Sequence, residues 1–259
     1  RREFAVIPRS VDSYVWLGRR LAYLGRYKDA LAVFSDGLSA FPESPHLLRH
    51  RGHRYITLRQ FESAVTDLGR AAGLVQGTPD EVEPDGAPNR FNIPRSTLQS
   101  NVYYHLGLAH FLRGEYEQAL EAYRACEAVS ENDDMLVATL DWKYRTLRRQ
   151  QRVEEAAELL ERVHTGMDVI ENHAYHRLLL MYKGELAPEE VLGSEFSESA
   201  VGLAVEDASV AYGVANWWLS EGDPDRGYAL MRQIVDGEAW AAFGYIAAEA
   251  DLARLAASE

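Results

Sequence analysis

A register of small residues that returns every 34 positions constrains this chain most. Gly18 recurs as Gly52, Ala30 as Ala64 and Gly37 as Ala71. The set returns as Gly107, Ala119 and Cys126, with the large side chains Tyr103, Leu106 and Tyr123 around it. In the first copy, residues 11–44 read as two amphipathic helical runs joined by a turn at Gly25-Arg26-Tyr27. Tyr14, Leu17 and Leu21 line one run, and Leu31, Phe34 and Leu38 the other, at spacings of three and four that mark one helix face. Pro42 ends the unit, because proline cannot continue a helix. An interior glycine costs about 1 kcal/mol relative to alanine, so glycines at 18 and 37 point to close approach between helices. Such a pair cannot bury both its faces alone and needs copies of itself beside it.

This spacing of small and large residues resembles the tetratricopeptide repeat family, a helix–turn–helix unit of about 34 residues. Residues 11–44 match best, with Leu17-Gly18, Ala30, Phe34, Gly37 and Pro42 in order. They depart at Tyr14, where the family usually carries Trp, and at Leu21, where it usually carries Tyr. The resemblance implies an all-α fold, a right-handed αα-superhelix (a solenoid) of about six helix pairs plus a C-terminal helix, whose concave face binds other chains. Residues 1–10 are expected to form an N-terminal arm and 11–259 a single solenoid. Repeats are expected near 11–44, 45–78, 100–133, 134–170, 171–205 and 206–237, with an insertion over 77–97 and a terminal helix over 238–257. By the same resemblance, the groove face of the first helices carries Asp12, Val15 and Arg19 in repeat one and His46, Arg49 and His53 in repeat two. This polar, partly basic groove suits an acidic segment. The Lys and Asn pattern of chaperone-binding members is not matched, because Val15 and Arg19 stand at those places.

Charge and composition narrow the partners. The net charge is −13, yet residues 1–60 carry +6 and residues 200–259 carry −7, a lengthwise asymmetry. The acidic bulk argues against nucleic acid, since no dense basic stripe is interleaved with aromatics. No apolar run reaches the length of about 18 residues that a membrane span needs. The single cysteine, Cys126, excludes an internal disulfide and falls at a small packing position. A first residue Arg1 in place of Met leaves the compartment open, with export favoured over the cytoplasm.

The third copy of the register comes late because a 21-residue insertion separates it from the second. Its four prolines forbid regular helix over residues 77–97. The acidic half, residues 80–85, is expected to be solvated. Phe91 and Ile93 are expected to pack down, and Ser96 with Gln99 to form a capping box for the next helix. The insertion is expected to fill part of the groove or an interface.

No constellation for chemistry is present: no glycine-rich phosphate loop, no His-Glu-x-x-His, no paired cysteines and no Gly-x-Ser-x-Gly. His46, His50 and His53 share one side of a helix, but Arg49, Arg51 and Arg54 beside them oppose a metal cation. The expectation is therefore a protein that binds proteins, with no catalytic residue, cofactor or metal. Head-to-tail self-association into a homo-oligomer or filament is expected through Phe4, Val6 and Ile7 at one end and Trp217, Trp218, Trp240, Phe243 and Tyr245 at the other. The alternative is an adaptor that binds an acidic peptide through Arg19, His46, Arg49 and His53.

Overall fold

The structure, a computed structural model, describes residues 10–84, 89–193 and 205–258. The described residues form thirteen α-helices in succession, and their β structure is one isolated antiparallel bridge, Val82–Thr97. The fold is all-α and pairs its helices as neighbours. The chain divides into two compact units, residues 1–109 and 110–259.

The first unit holds α1 (Val11–Tyr23), α2 (Tyr27–Ala40), α3 (Pro45–Thr57), α4 (Phe61–Val75) and most of α5 (Leu98–Arg113). Each start has a local cause. Ser10 accepts a hydrogen bond from the Ser13 N–H at the head of α1. Ser44 does the same for Leu47 at the head of α3, where Pro45 needs no partner for its missing N–H. Helix α1 packs on α2 and α3, and α3 packs on α4. Ala30, Phe34, Leu47 and Leu48 are buried between them. The 34-residue register has a direct steric meaning: a Cβ on Gly18 would lie 2.3 Å from the Phe34 ring, and one on Gly52 would lie 2.6 Å from Leu68. Both glycines admit the side chain sixteen positions later, so the same close approach is built twice.

The second unit holds α6 (Tyr116–Ala128), α7 (Asp133–Arg149), α8 (Val153–Leu160), α9 (His173–Tyr182), α10 (Pro188–Leu192), α11 (Val205–Ser220), α12 (Pro224–Val235) and α13 (Phe243–Ser258). Helix α7 is buried along most of its length and packs on α6, α8, α9 and α11. Asp134 accepts hydrogen bonds from the N–H groups of Ile170, Glu171 and Asn172 at 2.9–3.1 Å, satisfying donors at the head of α9.

One backbone device closes every pair, including the short fifth. Gly25, Arg59, Gly114, Gln151, Gly184 and Gly222 all have φ between +58° and +86°. In each case the next N–H bonds to the carbonyl five residues back: Arg26 to Leu21, Gln60 to Tyr55, Glu115 to His110, Arg152 to Leu147, Glu185 to Leu180 and Asp223 to Trp218. This is the six-to-one bond of a Schellman stop, which satisfies a carbonyl orphaned at the helix end. Two of the six left-handed residues are not glycine, so the hydrogen-bond pattern, and not the residue type, is what repeats.

Three expectations are corrected. The capping pair of α5 is Thr97 with Ser100, whose hydroxyls accept from each other's N–H groups at 3.2 and 3.0 Å. Gln99 instead donates its side-chain amide to the Thr78 carbonyl. Phe91 and Ile93 remain half exposed, because Asn89 ties its own loop by accepting from the N–H groups of both and donating to the Ile93 carbonyl. The last helix begins at Phe243, later than residue 238. Tight turns from Glu238 to Trp240 and from Ala239 to Ala242 bury Ala239 and Ala242, and the bare Gly244 then sits against the Ala208 carbonyl.

Candidate functional site

Helix α3 sets the site in the first unit. Its sequence places His46, Arg49, His50, His53 and Arg54 along one side at helical spacing, and α1 contributes Arg19 and Tyr23. Within the acidic half of the insertion, Asp80 and Glu81 stay exposed as expected, but Glu83 is buried against this basic surface. His46 Nε2 meets Glu81 Oε1 at 2.6 Å. Arg49 donates to Glu83 at 2.9 Å, with both side chains almost wholly buried. Arg19 donates to the Pro84 carbonyl at 2.7 Å. The segment is held extended by the bridge between Val82 and Thr97, with the Glu83 N–H bonded to the Ser96 carbonyl and the Leu98 N–H to the Glu81 carbonyl. Asn101 on α5 donates to the same Glu83 oxygen, Oε2, at 2.5 Å. Strand alternation puts Glu81 and Glu83 on one side and leaves Val82 exposed on the other. Opposite charge outweighs solvation here because Glu83 receives charge-assisted hydrogen bonds in place of water.

Beside Glu83 lies a pocket of about 150 Å³, lined by Arg19, Tyr23, Arg49, His50, His53 and Arg54, with Ala22 and Phe34. The Phe34 ring stacks on His50 at 5.6 Å, and His53 packs against His105 at 4.4 Å. Arg49 donates to His50 Nδ1 at 2.9 Å, which leaves the imidazole proton on Nε2, facing Glu83 at 3.7 Å. Burial, and then the neighbouring arginines, push His50, His53 and His105 well below the usual histidine range. The Arg54 guanidinium is lowered to about 10 by burial and by Arg49, and it rests over the Tyr27 ring at 5.6 Å. Among the described residues no group of three or more His, Cys, Asp or Glu is placed to hold a metal ion.

Arg19, Arg49 and His53 thus come together around one pocket, with His46 beside them on the docked segment. Sequence reasoning missed Glu81, Glu83, Asn101, His105 and the role of Arg54. The complementary charge of residues 80–83 and the first helices was a usable signal. The aromatic set at the other end is not brought together as one surface. Trp218 is buried beneath the Arg226 guanidinium, 3.9 Å from its ring, so it is not available to a partner. Trp217, Phe243 and Tyr245 are half-buried, and the Tyr245 hydroxyl donates to the Val235 carbonyl. Trp240 is 40% exposed. Phe4, Val6 and Ile7 lie outside the described residues. No helix among the described residues is long and apolar enough to cross a membrane.

Comparison with known proteins agrees with this architecture. The tetratricopeptide repeat family model matches residues 100–133. The BBSome complex member BBS4 of Bos taurus is 25% identical over 148 residues, which cover 57% of this chain and 24% of that protein. The chain therefore spans about a quarter of the length of the curated relative it matches. Among solved structures, a tetratricopeptide repeat protein from Parabacteroides merdae superposes with a TM-score of 0.52 at 16% identity, covering 91% of this chain and 81% of that one. YrrB, described as a tetratricopeptide repeat protein with an unusual peptide-binding site, gives 0.47 at 12% identity over 88% and 86%. The family match shows one tetratricopeptide repeat over residues 100–133, and the successive helix pairs closed by one repeated turn are similar to the helix–turn–helix units of that family.

Proposed function

We propose that this chain is a non-enzymatic interaction scaffold whose first unit receives an extended acidic segment of another polypeptide. One observation carries the reading: the chain's own residues 81–84 already lie on that surface, two glutamates on His46 and Arg49 and a backbone carbonyl on Arg19. An incoming segment with acidic residues at alternate positions makes the same contacts, because an extended strand repeats its side-chain direction every second residue. The insertion then acts as a tethered competitor at high effective concentration. Self-association head to tail has less support, since Trp218 is buried beneath Arg226.

Fluorescence anisotropy with a labelled peptide of the sequence of residues 79–85 tests the reading. Glu81→Gln with Glu83→Gln weakens the internal competitor and is expected to tighten peptide binding at least tenfold. His46→Glu in that background is expected to remove the gain. Peptide binding indifferent to both changes would overturn the assignment.

A further inference from the structure

We propose that the pocket between Arg19, Arg49 and Arg54 is a binding site for a dianionic tetrahedral oxyanion, either free phosphate or the phosphate monoester of a phosphorylated side chain. The argument is one of charge balance in a buried space. Three guanidinium groups line the pocket, and Glu83 is the one carboxylate that meets them among the described residues. Its charge is shared with Asn101 and directed at Arg49. Two positive charges are left unbalanced, which matches a dianion and exceeds what one further carboxylate supplies.

The donors are present as well. The Arg49 Nε is buried and has no hydrogen-bond partner among the described residues. Arg54 rests on the Tyr27 ring face, and the largest influences on its charge after burial come from Arg49, Tyr27, Tyr23 and Arg19, none of them a carboxylate. Arginine presents several N–H groups in a rigid plane, the geometry that suits phosphate oxygens. The volume of about 150 Å³ is well above the roughly 10–15 Å³ that admits a single water. His50 and His53 in the pocket lining, and His105 packed against His53, have pKa values held well below the usual histidine range, so they neither balance nor add to the charge near neutral pH. A charge held away from water without a counter-ion is costly, and gathering Arg19 and Arg54 beside the already paired Arg49 is explained by a ligand that supplies the missing anion.

This site does not rest on capture of an acidic segment. Isothermal titration calorimetry of the full chain with inorganic phosphate, at constant ionic strength made up with chloride and at about pH 7.5, where a phosphate monoester is mostly dianionic, reads it directly. Saturable binding is expected, at least tenfold weaker in Arg54→Met. The melting temperature of phosphate-free Arg54→Met should equal or exceed that of the parent, whereas a purely structural arginine would lower it. Arg54→Lys keeps the charge and loses the fork, and should bind with intermediate strength. His46→Glu impairs peptide capture but leaves phosphate binding intact, which separates the two readings. A phosphoserine peptide that binds at least tenfold tighter than phosphate assigns a protein-borne ligand; equal binding assigns a free anion. Absence of saturable binding for both, or binding unchanged in Arg54→Met, would overturn the site.

Discussion

Both units bury arginines, and they treat them in opposite ways. In the second unit Arg145 pairs with Asp141 one helical turn away, lies over the Trp142 and Tyr212 rings at 4.5 and 5.4 Å, and donates to the Tyr182 hydroxyl. Burial works against its charge, but Asp141 and then the two tyrosines outweigh that, so its pKa rises above the ordinary arginine value. Arg149 is held in the same sense by Asp251, which also takes Arg254 and the Tyr212 hydroxyl. In the first unit the half-buried Arg54 has no carboxylate among its largest electrostatic partners, and its pKa falls to about 10. Paired buried charges hold helices in register. Arg54, gathered with Arg19 at a pocket, has no such partner, and an uncompensated charge held away from water is costly.

The comparison breaks most directly at Asp141. Asp141→Asn turns Arg145 into a second Arg54, and stability should fall by about 3–5 kcal/mol. Urea unfolding followed by tryptophan fluorescence checks this, and a loss below about 1 kcal/mol would remove the distinction between the units.

Acid sharpens it next. His50, His53 and His105 have folded pKa values well below the usual 6.5, through burial and then the nearby arginines. Below the usual value the unfolded chain binds more protons than the folded one, so stability rises with pH there and is lost as the pH drops. The first unit should therefore lose protection on acidification below about pH 6.5, with a slope of at most about 1.4 kcal/mol per pH unit for each histidine. Hydrogen exchange corrected for its intrinsic pH dependence should show earlier opening in α3 than in α7, and His50→Gln should flatten the trend. The smallest effect is the exposed control: the Arg26–Asp29 pair is more than half solvated on both sides, and Arg26→Ala should change stability by less than about 1 kcal/mol.

The helical hairpin and its register were legible in the sequence. Gly18 and Gly52 announced close approach, and both face a large side chain sixteen residues on. The stops at Arg59 and Gln151 were not legible, because neither residue type marks a left-handed turn; their conformation follows from the Schellman hydrogen bond and its neighbours. Arg19, His46, Arg49 and His53 were expected on one groove face from their place on the repeat, and Arg19, Arg49 and His53 line one pocket. The burial of Glu83 was not legible, because a glutamate among other acidic residues looks solvated until an opposite surface lies within reach. Trp218 was misread for a related reason: tryptophan spacing carries no record of which ring a distant arginine covers.

Local periodicity alone determined that this chain forms helix pairs and that they stack, since the contacts involved lie within one repeat or the next. Tertiary structure decided what those pairs hold. The docking of Glu83 on Arg49, the pairing of Asp141 with Arg145 beside Tyr182, and the isolation of Arg54 depend on which charges a buried space brings within a few ångströms, and low dielectric there makes each pairing matter far more than its spacing in the sequence reveals.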